Sequence, residues 1–194
     1  MGATTIWIDT ETGGTEPHHP TIQVAAIAER DWLELATLEV KIRFDVAKAE
    51  PDALALNHFD AAIWEREALP EVTAVEDLAA FFRDHATVEK LSKRTGRPYR
   101  VARLAGHNLA GFDGPRLVEM FKRHGAFMPA AAFEPLDTMH LSRWYALGQE
   151  NPPASAKLGD LCAHFGIQQP AAHDALGDVR SCIAVARRML EATT

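Results

Sequence analysis

The chain has 194 residues, 47% of them hydrophobic, and a formal net charge of −7. That is enough apolar content for one sizeable core, and it is too acidic for a protein that coats nucleic acid through a broad basic face. No run approaches the ~18 uninterrupted apolar residues of a membrane span, so no membrane partner is expected.

Taken from the start, "MGATTIWIDTE" has no basic opening and reaches an acid by position 9, so it does not read as a secretory leader. "TTIWID" reads as a strand ending at Asp9, followed by turn material rich in glycine and proline, "TETGGTEPHHP". "TIQVAAIAE" and "LATLEVKIRF" are the next strands. The second alternates Ala36, Leu38, Val40, Ile42 and Phe44 against Thr37, Glu39, Lys41 and Arg43, the period of a half-buried antiparallel strand. Three closely connected strands make a meander. A short helix with Pro51 near its start follows, then a longer one from about Thr73 with Val75, Leu78, Ala79 and Phe82 at helical spacing.

Residues 90–103, "KLSKRTGRPYRVAR", carry Lys90, Lys93, Arg94, Arg97, Arg100 and Arg103 without an acid; such a run is ordinarily a solvated face, with nucleic acid as its alternative ligand. "VARLAGHN" reads as a short apolar strand, "GPRLVEMFKRHG" as a helix opened by Pro115 and closed by Gly125, and "FEPLD" as a last strand. Helices at "TMHLSRWYAL", "AKLGDLCAHFG" and the C-terminus complete the chain. Cys162 and Cys182 lie in apolar helical contexts without metal spacing and read as reduced core residues, the usage of a cytoplasmic protein. The order predicts one α/β domain over residues 1–194, its five-stranded mixed sheet beginning antiparallel and ending parallel, with helices flanking it.

Four acids fall where this layout gathers them. Asp9 and Glu11 alternate with Thr10, which puts both on one face of a strand. Asp113 opens a helix. Asp178 shares a helix direction with Cys182, Val185 and Met189, a greasy side on which a carboxylate is costly unless its charge is compensated. Singly, these residues have ordinary roles: Asp113 stands where an N-cap belongs, as does Asp174, and Asp137 caps its helix and buttresses the site from behind. Gathered together, four carboxylates cannot stay ionised without cations, and an oxygen-only set suits magnesium or manganese better than zinc. His18 and His19, beside Pro17 and Pro20, read as loop residues, and His58, His107 and His140 lack metal spacing and read as structural.

Three stretches then resemble, in order, the motifs of the DnaQ-like DEDDh 3′→5′ exonucleases: "IDTETGG", "AGHNLAGFD" and "HDALGD". They span residues 8–178, nearly the whole chain. The resemblance implies an RNase H-like fold and two-metal hydrolysis of phosphodiesters at the 3′ end of DNA or RNA. It implies that Asp9, Glu11 and Asp178 hold a first Mg²⁺ or Mn²⁺ ion, with Asp9 bridging to a second that Asp113 supports, and that His173 is the general base. The backbone at Thr12 and Gly13, with Leu56, Asn57, Asn108 and Phe112, falls where that family holds and wedges the terminal nucleotides. Gly114-Pro115 and the long basic segment depart from the family pattern, away from the five key positions. The competing expectation is a non-catalytic nucleic-acid- or polymerase-binding module on the same fold, which the intact acids disfavour; an internally cutting nuclease is the third. No polymerase or repair partner is specified by any motif.

Overall fold

The computed structural model describes residues 2–131, 134–169 and 174–192. Strands β1 (Thr5–Thr12), β2 (Thr21–Arg30) and β3 (Leu33–Lys41) form the expected antiparallel meander. In β3 and just beyond it, Val40 and Ile42 are buried while Thr37, Glu39 and Arg43 are exposed, as the alternation requires. β1 does not stop at Asp9. It continues to Thr12 because Thr10, Glu11 and Thr12 pair with Val24, Gln23 and Thr21 of the long β2.

Three helices follow. α1 (Pro51–Leu56) has Pro51 in its first turn, and α3 (Glu71–Asp84) buries Ala74, Val75, Leu78, Ala79 and Phe82. Between them lies α2 (Ala61–Glu67), which the periodicity did not predict. Asp60 accepts the backbone N–H groups of Ala62 and Ile63 to start it, and Trp64 is its one buried residue.

The basic run is not an unstructured charged surface. Most of it forms a separate antiparallel hairpin, β4 (Val88–Leu91) and β5 (Pro98–Val101). The chain then enters β6 (Arg103–Gly106), α4 (Asp113–Arg123), the two-residue β7 (Leu136–Asp137), α5 (Thr138–Leu147), α6 (Leu158–Phe165) and α7 (Ala175–Glu191). The main sheet has the order β3-β2-β1-β6-β7, with β6 parallel to β1 and β7 parallel to β6. This is the mixed five-stranded sheet the chain order predicts, although the final strand is shorter than "FEPLD".

The two faces of β1 separate the core into layers. Ile6 and Ile8 pack with Leu78 and Phe82 of α3 and Leu117, Met120 and Phe121 of α4. Trp7 points to the opposite face and packs under Val179, Cys182 and Ala186 of α7. The odd-numbered residues of β1 therefore lead from Trp7 to Asp9 and Glu11 along the face that α7 covers. β6 ends at Gly106, where an added Cβ would lie 2.8 Å from the Ile8 carbonyl oxygen. Only glycine lets the strand approach β1 that closely before the chain turns toward α4.

Candidate active site

Asp9, Glu11 and Asp178 each offer a carboxylate oxygen, and these atoms all lie within 4.8 Å of one another. β1 supplies the first two through its two-residue repeat, and the first turn of α7 supplies the third. Cys182, Val185 and Met189 are buried on the same side of α7, as the helical spacing requires. Gln169 donates through Nε2 to Asp178 Oδ1 at 3.3 Å.

Asp113 approaches from the other face of the sheet and stands outside that group of three. It is only 3% exposed, and its Oδ1 accepts from the backbone N–H of Thr10 at 3.1 Å and from the Thr10 hydroxyl. Thr10 sits between the two β1 acids with its side chain on the opposite face, so it ties α4 to the strand that carries them. Its role was not legible from sequence, where it reads as an ordinary β-branched strand residue. Asp113 is also not the N-cap: Phe112 takes that position without a side-chain cap, and Asp113 is the first helical residue. Its carboxylate is thereby free of the capping role and faces β1.

The supporting residues behave as their chemistry suggests. Asp174 caps α7 through the Gly177 N–H at 3.1 Å. Asp137 caps α5 at Met139 and also accepts from the N–H groups of Asn108 (3.0 Å) and Ala110 (3.2 Å), which fixes the loop between β6 and α4. That loop needs the hold, because Asn108 adopts a left-handed backbone with φ of 56°. His107 Nδ1 lies 2.9 Å from the Thr138 hydroxyl, and burial holds the pKa of its imidazole below the usual value.

Thr12 and Asn57 are brought together: Asn57 Nδ2 donates to the Thr12 carbonyl at 2.8 Å, joining the end of α1 to the end of β1. Leu56 beside it is 52% exposed. Gly13 uses both backbone groups within the fold, donating to the Pro20 carbonyl and accepting from the Glu50 N–H. A Cβ there would lie 2.7 Å from Ala49 Cβ. Phe112 is half-buried with the Arg116 guanidinium 3.6 Å from its ring centre. Arg116 also donates to the carbonyls of Phe112, Thr15 and Glu16, so it links α4 to the turn after β1. Its stacking was missed; an arginine four residues after an aromatic at a helix start is the signal that could have revealed it. His173 lies outside the described residues.

The acids work against one another. Burial, then the charges of Asp113, Glu11 and Asp178, raise Asp9 well above the ordinary carboxylate range. Burial followed by Asp178 and Asp113 lifts Glu11 to about 7. Burial also lifts Asp113 to about 7, although its bonds to Thr10 pull the other way. Mutual repulsion in an oxygen-only set is what a divalent cation relieves, so these residues fit magnesium or manganese.

The sign of the pH effect follows. A carboxylate whose pKa is raised on folding supports the fold most at low pH and withdraws that support as pH rises toward its folded value. For Glu11 the window runs from 4.5 to about 7, and for Asp113 from 3.8 to about 7. Metal-free protein is therefore expected to lose thermal stability between about pH 4 and about pH 7. Saturating Mg²⁺ should oppose the loss, with protons released on binding near pH 6.5. Calorimetry with and without chelator measures this, and a metal-free Tm that rises across the window would contradict the arrangement.

Comparison with solved structures places this architecture. The E. coli Exonuclease I complex with a dT13 oligonucleotide superposes with a TM-score of 0.76 at 21% identity, covering 96% of this chain and 41% of that one. A moderately thermophilic Exonuclease I from Methylocaldum szegediense gives 0.76 at 24% identity, covering 98% and 41%. The chain thus spans about two fifths of the length of these proteins. No match is found among curated proteins. Fold and site together define the class: an RNase H-like α/β domain with a carboxylate cluster at the margin of its sheet. The RNase_T family, described as Exonuclease, matches residues 80–186, more than half of the sequence, and the chain belongs to that family. The matched span includes Asp113, His173 and Asp178; Asp9 and Glu11 precede it and are joined to it by the fold. Family and fold support a nuclease function. Among the described residues no helix is long and apolar enough to cross a membrane.

Proposed function

We propose that this protein is a metal-dependent 3′→5′ exonuclease that removes mononucleotides from the 3′ end of DNA or RNA. The observation that carries the reading is the convergence of Asp9, Glu11 and Asp178 within 4.8 Å, with Asp113 held against the same strand by its bonds to Thr10. Asp9, Glu11 and Asp178 would hold one Mg²⁺ or Mn²⁺, and Asp9 with Asp113 a second. Two bound cations would supply charge stabilisation for the attacking and leaving oxygens of an in-line displacement.

The chain's own groups do the rest. His173 takes a proton from the attacking water as its oxygen bonds to phosphorus. The bond from phosphorus to the 3′ oxygen of the preceding nucleotide breaks, that oxygen acquires a proton from solvent, and a 5′-mononucleotide leaves. Phe112, stiffened by Arg116, and exposed Leu56 offer apolar surfaces for the terminal bases. The Thr12 backbone, Asn57 and Asn108 would contact the terminal nucleotides, and Gly13 contributes the absence of a side chain, since its backbone groups are already bonded.

A digestion panel tests the reading. Single strands labelled at the 5′ end should shorten one nucleotide at a time with Mg²⁺ or Mn²⁺ and stay intact in chelator. A 3′-phosphate should protect them and a 5′ block should not. Rapid cutting of circular single strands would replace the exonuclease by an endonuclease, and strand binding without cleavage of any substrate would leave the non-catalytic module.

A further inference from the structure

The acids account for one end of the sheet, and the basic hairpin lies at the other. β6 runs parallel to β1 with Arg103 opposite Thr5, so β4–β5, which precedes β6, joins the body at the N-terminal end of β1. Thr87, just before β4, donates its hydroxyl to the Thr4 carbonyl at 3.3 Å, which pins the base of the hairpin there. Asp9 stands four residues along β1 from Thr5, a rise of roughly 13 Å at ~3.3 Å per residue.

The hairpin concentrates charge in a protein that is otherwise acidic. Its tip, Ser92 to Arg97, is closed by Ser92 N–H to the Arg97 carbonyl (3.0 Å) and Gly96 N–H to the Ser92 carbonyl (2.8 Å). Lys93, Arg94, Arg97 and Arg100 are all exposed, and among the described residues none has a carboxylate within 4.0 Å. Lys90 differs: it is paired with Glu134 at 2.8 Å.

An aromatic surface adjoins the tip of the hairpin, whereas Arg100, next to Tyr99 in β5, turns to the opposite face, where it stands across from Glu89. Pairing of Lys90 with Tyr99 and of Val88 with Val101 puts these four residues on one face. Val101 is buried, whereas Tyr99 is 40% exposed and stands edge-on to Phe127, itself 68% exposed, with ring centres 6.4 Å apart. A hollow of about 340 Å³ lined by Lys90, Tyr99, Val101, Phe127, Met128 and Glu134 opens there. Unpaired cations for phosphates beside exposed rings for unpaired bases are the two components of a sequence-tolerant single-strand surface.

We propose that the β4–β5 hairpin with Phe127 is a second nucleic-acid contact, one that grips a single strand upstream of the 3′ end being cut. The role in turnover rests on the exonuclease reading above; the binding surface does not. At 3.4 Å per stacked nucleotide, the roughly 13 Å from Asp9 to the base of the hairpin alone takes about four nucleotides, and the tip cations stand beyond β4 and β5. Dinucleotides therefore never reach the hairpin, and longer strands gain affinity from it.

Binding and turnover are measured separately. In chelator, anisotropy of a 5′-labelled single-stranded 20-mer is followed against salt for the wild type and for the combined variant Lys93→Ala, Arg94→Ala, Arg97→Ala. Each lost phosphate contact removes about 0.7 from the slope of log K against log salt, so the slope should fall by about 2. Affinity near 0.1 M salt should fall on the order of 10²-fold, with little change near 1 M. Phe127→Ala should weaken the 20-mer roughly tenfold without altering the slope, because it removes stacking and no charge. With Mg²⁺, both variants should cleave a dinucleotide at the wild-type rate.

An unchanged slope in the triple variant overturns the proposal, as does an equal loss on dinucleotide and 20-mer. Equal binding of the wild type to anionic lipid vesicles and to the 20-mer at the same salt also overturns it, in favour of a general polyanion surface. A wild type that cleaves nothing but shows the slope change would refute the exonuclease reading and leave the strand contact standing.

Discussion

Replacing Asp178 by asparagine is expected to reduce turnover by about 10³-fold or more, because several kcal/mol of charge stabilisation depends on a complete ligand set. The amide keeps the size of the side chain and an oxygen that can accept from Gln169, so α7 should stay in place. Divalent-ion affinity falls with the lost charge. In chelator the same variant should melt at a higher temperature than the wild type, since one of the charges that raise Asp9 and Glu11 is gone. Titration calorimetry with Mg²⁺ and a metal-free thermal scan test both halves. Unchanged metal affinity together with full turnover would remove Asp178 from the site.

The second large effect is expected at His173. Alanine there should leave Mg²⁺ binding and strand binding close to the wild type while the rate falls by roughly 10²–10⁴, the range of a lost general base. Raising the pH should restore part of the rate, because hydroxide can replace water that no longer has a proton acceptor. The contrast with Asp178→Asn is the informative feature: one variant loses metal and rate together, the other loses rate alone. If His173→Ala also loses the metal, His173 is a ligand and the assignment of the base fails.

Short strong patterns were legible in the chain without its fold. The alternation of β3, the proline start of α1, the apolar stripe of α3 and the span of α5 all follow from local periodicity and capping. Asp174 and Asp137 cap the helices the sequence assigned to them. Weak elements failed in the same terms. α2 buries only Trp64, too little for a helical stripe to stand out. The hairpin β4–β5 was masked by its charges, which obscure the pairing of Val88 with Val101 and of Lys90 with Tyr99.

Of the site, the sequence by itself determined the chemistry: four carboxylates, the spacing that puts Asp9 and Glu11 on one face, and the helical phase that turns Asp178 inward. Local periodicity holds that information because it depends only on residue type and backbone repeat. Tertiary structure alone decided the rest. β1 reaches Thr12 because β2 is long enough to pair with it, and Asp113 meets Thr10 because Gly106 lets β6 approach β1 before α4 begins. The raised pKa values of Asp9, Glu11 and Asp113 likewise come from burial and from charges distant in sequence. So does the separation of the basic hairpin from the acids, set by the parallel pairing of β6 with β1. Distances between residues far apart in the chain are fixed by packing, and no local pattern carries them.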